Sequence, residues 1–146
     1  MVVVDSSVWI DYFNGRPSVE TEALHGFLGE RQIVVGDLIL TEVLQGFRSD
    51  RDFRQARRLL ALAAFPIVTM VGPELAVRAA EHCRRLRRLG VTVRKTIDVM
   101  IGTYCIASQL PLLHADTDFE PMVRHLGLRL PNSARETPVR RRNHGD

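Results

Sequence analysis

The chain holds only two cysteines, Cys83 and Cys105, in 146 residues. Two thiols cannot build a disulfide framework, and their spacing fits no zinc motif. Both fall in segments that read as helices, so they are expected to be reduced core thiols of a cytoplasmic protein. Long apolar runs are also missing. Charge interrupts every run well short of the ~20 residues a membrane-spanning helix needs. No basic segment precedes a long apolar stretch at the N-terminus, so export is not expected. Internal repeats are absent. Lysine is nearly so: Lys95 is the single one among 20 basic residues. What is present is ordinary for a globular domain, with 45% hydrophobic residues and a net charge of +3. This length suits one domain with a real core.

Short β-rich runs alternate with longer helical ones. Strands are expected at Val2–Val4, Ile33–Val35, Pro66–Val71, Leu112–Ala115 and Leu128–Leu130. Helices are expected at Ser7–Asn14 with Ser6 or Ser7 as cap, at Ser18–Gly29, and from an Asp37 cap to about Gln45. Further helices are expected at Ser49–Ala64, Pro73–Leu89, Thr96–Ser108 capped by Thr96, and Thr117–Leu126. Strands separated by helices imply crossover connections and a short, mostly parallel sheet covered on both faces, a three-layer α/β/α architecture. Residues 1–131 then form the domain. Residues 132–146 carry Arg135, Arg140, Arg141 and Arg142 against Glu136 and Asp146, and read as a basic, mostly flexible tail.

In such sheets, sites form beyond the carboxyl ends of the strands. Asp5 follows the first strand directly, and Asp116 follows the run Leu112–Ala115, with Asp118 two residues later. Two more acids interrupt otherwise apolar helices: Glu42 within Leu38–Leu44 and Asp98 within Thr96–Ile101. Acids are rarely buried without a partner. Of Asp5, Glu42, Asp98 and Asp116, only Asp98 has cations close by in sequence, Arg94 and Lys95. A first-turn position also suits Asp98 through the helix dipole, and Asp118 has an innocent reading as a helix cap. Clustered carboxylates raise one another's pKa, and a divalent cation removes that cost. All-oxygen ligands select Mg²⁺ or Mn²⁺. Such an ion can activate water and neutralise a phosphoryl transition state, so no Ser–His–Asp triad is required, and none is found.

Together these segments resemble a known family. Val3-Val4-Asp5-Ser6-Ser7-Val8-Trp9-Ile10 resembles the opening motif of VapC-like PIN domains. Glu42 with Leu44 and Gly46 resembles their second motif, Thr96-Ile97-Asp98 with Ile101 and Ala107 the third, and His114-Ala115-Asp116-Thr117-Asp118-Phe119 the fourth. The resemblance runs from about Val2 to Leu130. It implies a PIN-like fold and an Mg²⁺- or Mn²⁺-dependent endoribonuclease, the toxin of a type II toxin–antitoxin pair. It implies a structured RNA substrate such as tRNA or rRNA, a VapB-like antitoxin, and a homodimer. Asp5, Glu42, Asp98 and Asp116 would be the catalytic, metal-binding quartet, Asp118 an auxiliary metal ligand, and Ser7 the hydroxyl that orders the site.

Two positions depart from many relatives. Ser6 stands where Thr is common, and His114 where Thr or Ser is common. His114 is read as a bystander, with approach to the metal or RNA as the alternative. Trp9, Tyr12 and Phe13 are expected in the core, with stacking on RNA bases as the other reading. Arg84, Arg85, Arg87, Arg88, Arg94 and Lys95 form either a solvated face or a basic rim that guides phosphates. Helices Ser18–Gly29 and Ser49–Ala64 either pack in the core or offer an antitoxin groove. A phosphatase that begins with a strand-end Asp needs a second Asp where Ser7 stands. The rival from another class is a catalytically inactive PIN-like binding or scaffold module, whose mark would be the loss of one or more acids.

Overall fold

The structure, a computed structural model, describes residues 1–30, 33–62 and 65–132. Four short strands form one sheet: β1 (Val2–Val4), β2 (Ile33–Gly36), β3 (Ile67–Val68) and β4 (Leu112–Leu113), in the order β3-β2-β1-β4. All three pairings are parallel, with Val3 facing both Val34 and Leu112. Successive side chains of a strand point to opposite faces. Val2, Val3 and Val4 are nevertheless all fully buried, so helices cover the sheet on both sides. That is the expected α/β/α layering, and it explains why β1 is apolar throughout rather than alternating.

The helices are α1 (Ser6–Phe13), α2 (Val19–Glu30), α3 (Asp37–Gln45), α4 (Asp50–Leu62), α5 (Pro73–Arg88), α6 (Thr96–Ser108) and α7 (Glu120–His125), with a 3-10 turn at Thr117–Phe119 before α7. Most lie within a residue or two of expectation. Helix α6 is the central one: Asp98, Val99, Ile101, Gly102, Thr103 and Cys105 are all buried along it. It therefore shows little amphipathic pattern, as expected of a helix enclosed on several sides. Helix α5 ends against Gly90, whose φ of +80° suits glycine. Trp9 is fully buried and packs on Tyr12, Phe13 and Phe65, so this aromatic group belongs to the core rather than to a stacking surface. Cys83 and Cys105 are free thiols, as expected, and burial pushes the Cys105 thiol up. No helix among the described residues is long and apolar enough to cross a membrane.

Several local expectations need correction. The cap of α1 is Asp5, not Ser6 or Ser7, because its carboxylate accepts the Ser7 N–H. Asp37 is the first residue of α3, with Gly36 at the cap position. The Asp37 carboxylate instead accepts from the N–H groups of Leu38 and Met70, tying α3 to the segment after β3. Thr96 already lies inside α6, and Lys95 holds the cap position with no side-chain capping bond. The last turn before α7 is capped by Asp116, whose Oδ1 accepts from the Asp118 N–H, so Asp118 is not the cap. Leu128–Leu130 forms no strand; the Arg129 carbonyl only accepts one hydrogen bond from the Leu112 N–H. The Ser49–Ala64 helix is described only to Leu62, and residues 133–146 of the expected tail also lie outside the described residues.

Gly36, at the junction of β2 and α3, is a packing constraint. An added Cβ there would run into the side chain of fully buried Met70. Gly36→Ala is expected to destabilise the fold by about 1–3 kcal/mol through overpacking. The effect should appear as a lower urea midpoint at unchanged slope. Because one side chain causes the clash, adding Gly36→Ala to a Met70→Ala protein should cost little more. A full additive loss in the double variant would contradict this account.

Candidate active site

The connections run outward from β1 to β2 to β3, and the chain then returns to place β4 on the other side of β1. The β1/β4 boundary is therefore the topological switch point, where open α/β sheets form their crevice. The backbone there is tied closely, with the Asp5 N–H donating to the Leu113 carbonyl at 2.9 Å. Asp5 and Asp116 emerge on this rim, Asp98 approaches from the first turn of α6, and Glu42 from α3.

The chain holds each acid in place. Asp5 is 3% exposed. Its Oδ2 accepts the Ser7 N–H at 3.0 Å and the Ser7 hydroxyl at 2.6 Å. The Ser7 oxygen in turn accepts the Ala115 N–H at 3.1 Å, joining the start of α1 to the segment after β4. Ser6 donates to Glu42 Oε1 at 3.2 Å and so ties α3 to the same rim. Carboxylate oxygens of Asp98, Asp116 and Asp118 all lie within 4.8 Å of one another. Asp118, expected as an auxiliary, is thus part of the tightest group. Asp5 and Glu42 stand outside that triad but act on it through charge: Asp5 and Glu42 both oppose ionisation of Asp98.

The electrostatics are those of a site short of cations. Burial pushes the Asp98 carboxyl up to about 7, and the charges of Asp5, Asp116 and Glu42 add to the rise. Burial also raises Asp5, against the pull of its Ser7 hydrogen bonds. Glu42 rises through burial and then through the Asp5 charge, and its bond from Ser6 offsets part of this. Two buried oxygens, Asp5 Oδ1 and Asp98 Oδ2, have no hydrogen-bond partner among the described residues. Unsatisfied buried carboxylate oxygens are costly and call for a ligand. An oxygen-only donor set of this kind fits Mg²⁺ or Mn²⁺.

Sequence order places Lys95 beside Asp98 but conceals its contact with Asp116. Its Nζ lies 3.9 Å from Asp116 Oδ2, among the described residues the one ion pair of the structure. The partner is 21 positions away in the chain, so only the fold brings them together. The same holds for Ser6 and Glu42, 36 residues apart. His114 packs on Phe119 with ring centroids 5.0 Å apart, and burial holds its imidazole below the usual histidine range.

The raised Asp98 carboxyl gives a pH dependence with a definite sign. The metal-free native state holds a proton on Asp98 to about pH 7, whereas the unfolded chain releases it near 3.8. Stability from this group is therefore full below about pH 4 and declines as pH rises toward 7. Asp5 and Glu42 push in the same direction. Denaturation in EDTA from pH 4 to 8 should show a decline for wild type that is shallower for Asp98→Asn. Parallel curves for the two proteins would refute the coupling.

Comparison with known proteins extends these observations. The PIN domain family model matches residues 2–123. The chain is 29% identical over 127 residues to Ribonuclease VapC11 of Mycobacterium tuberculosis, covering 85% of this chain and 92% of that protein. VapC ribonuclease Mb1587 of Mycobacterium bovis matches to the same extent. Among solved structures, VapBC2 from Rickettsia felis, bound to a DNA fragment from its promoter, aligns with a TM-score of 0.68 at 17% identity, over 90% of this chain and 98% of that one. FitAcB from Neisseria gonorrhoeae aligns with a TM-score of 0.69 at 15% identity, over 91% and 98%. At those identities the likeness is one of fold.

Proposed function

The chain belongs to the PIN-domain family, and from that premise we propose that it is a metal-dependent endoribonuclease, the toxin of a VapBC-like toxin–antitoxin pair. The observation that carries this reading is the convergence of Asp98, Asp116 and Asp118 beside Asp5 and Glu42, with two buried carboxylate oxygens left unpartnered. An inactive scaffold would have no need to keep so costly a cluster.

Asp5, Glu42, Asp98 and Asp116 would hold Mg²⁺ or Mn²⁺, with Asp118 as a further ligand. When bound, the ion supplies water activation and charge neutralisation for cleavage of an RNA phosphodiester bond. The protein's own groups have distinct tasks. Ser7 orients the Asp5 carboxylate and leaves Oδ1 free, and Ser6 does the same for Glu42 through Oε1. Lys95 is half-exposed and reaches Asp116 only at 3.9 Å, so it is free to turn toward a phosphate oxygen. The arginines of α5 and Arg94 lie exposed ahead of α6, a basic rim suited to an RNA backbone.

The partners follow from the relatives. The solved structures similar to this chain include VapBC complexes, which supports a VapB-like antitoxin for this protein. A homodimer, a structured RNA substrate such as tRNA or rRNA, and a cytoplasmic setting complete the proposal. The direct test is incubation of the purified protein with total RNA. Discrete fragments are expected with Mn²⁺ or Mg²⁺ and none with EDTA. RNA left intact under all these conditions would overturn the reading.

A further inference from the structure

A second feature lies next to the acid cluster. A cavity of about 380 Å³ opens between the end of β4, the start of α2 and helix α7. Its walls include Glu20, Leu113, His114, Glu120, Val123 and Arg124. His114 belongs to both places: it lines the cavity, and its ring feels the charges of Asp5 and Asp116. The next residue, Ala115, donates its N–H to the Ser7 hydroxyl that orders Asp5. His114 and Ala115 therefore join the wall of the cavity to the acid rim.

We propose that this cavity reads a guanine base adjacent to the cleaved bond, an inference that rests on the ribonuclease reading. Its size falls within the ~300–1,000 Å³ range of small-molecule sites. Two carboxylates against one guanidinium make it unwelcoming to a phosphate, unlike the basic rim outside. A base is neutral and can enter. Single-stranded RNA is recognised by splaying bases out, stacking them on rings such as histidine and bonding their edges. The polar groups select among bases. Carboxylates only accept hydrogen bonds, and guanidinium only donates. Guanine alone presents two adjacent donors, the ring N1–H and the exocyclic amine, for Glu20 or Glu120, together with O6 and N7 acceptors for Arg124. Among the described residues, none of these three charged side chains has an ion-pair or hydrogen-bond partner, so all are free to engage a ligand.

The test compares short RNAs carrying guanine or inosine at each position around the cut, since inosine lacks only the exocyclic amine. At one position wild type should cleave the guanine RNA roughly 10-fold or more faster. Glu20→Gln/Glu120→Gln should cleave the two RNAs at similar rates. In parallel, guanosine monophosphate titrated in EDTA should shift the NMR signals of His114 and Arg124, and inosine monophosphate should do so less. Cleavage with equal guanine and inosine rates at every position, and no shift with guanosine monophosphate, would overturn the guanine pocket while leaving the nuclease intact. If no RNA is cut at all, the nuclease reading fails, and the nucleotide titration alone decides whether the cavity binds guanine.

Discussion

An Asp5→Asn protein should fold normally and cleave RNA roughly 10²-fold or more slowly than wild type. The substitution separates the two tasks of this residue. Asp5 caps α1 by accepting the Ser7 N–H, and asparagine caps about as well. The carbonyl of an asparagine can also accept the Ser7 hydroxyl, so the link through Ser7 to Ala115 survives. What disappears is the negative charge whose second oxygen, Oδ1, is buried and unpartnered. Loss of one charged ligand costs several kcal/mol of transition-state stabilisation. Single-turnover cleavage with saturating Mn²⁺, alongside circular dichroism, measures both properties. Ser7→Ala should do less harm than Asp5→Asn, since it removes an orienting group and not the charge. Near-normal cleavage by well-folded Asp5→Asn would remove Asp5 from the site.

The second large effect is thermal and needs no RNA. In EDTA at neutral pH, Asp98→Asn should melt at or above the wild-type temperature. The wild-type carboxyl, pushed up to about 7 by burial and by its acidic neighbours, is a source of strain that asparagine relieves. Millimolar Mn²⁺ should then raise the wild-type melting temperature clearly, because a ligand that binds only the native state stabilises it by mass action. The variant should gain far less. If Asp98 were only a favourable first-turn acid, its loss would instead cost about 0.3–1 kcal/mol. Metal would then act on both proteins alike. That sign pattern would leave Asp98 as a structural residue. Metal affinity should also climb as pH approaches 7, since a ligand carboxyl must lose its proton to bind.

The layered fold and the order of the acids were legible because each rests on local pattern. Val2–Val4 is wholly apolar, as a strand buried on both faces must be, and Asp5 ends it. Glu42 and Asp98 stood out against apolar neighbours. The parts that stayed hidden depend on contacts between distant segments. Lys95 meets Asp116 only because α6 starts beside the end of β4, and Ser6 meets Glu42 only because α1 packs on α3. The family resemblance gives Asp118 only an auxiliary place, yet the turn capped by Asp116 brings the Asp118 carboxylate to Asp98. The alternating run Leu128-Arg129-Leu130 resembles a strand, but one carbonyl contact with Leu112 does not make a ladder. The caps of α1, α3 and α6 lie a residue or two before their expected positions, a limit inherent in reading helix ends from residue type.

The claim at the centre of this account is that a carboxylate site in this chain cuts RNA. The most direct measurement maps RNA 5′ ends across the transcriptome after brief induction of the protein in cells, with Asp5→Asn expressed to the same level. The account predicts new ends at one or a few recurrent positions with the wild type and none with the variant. The absence of new ends, or the same new ends from both proteins, would contradict it.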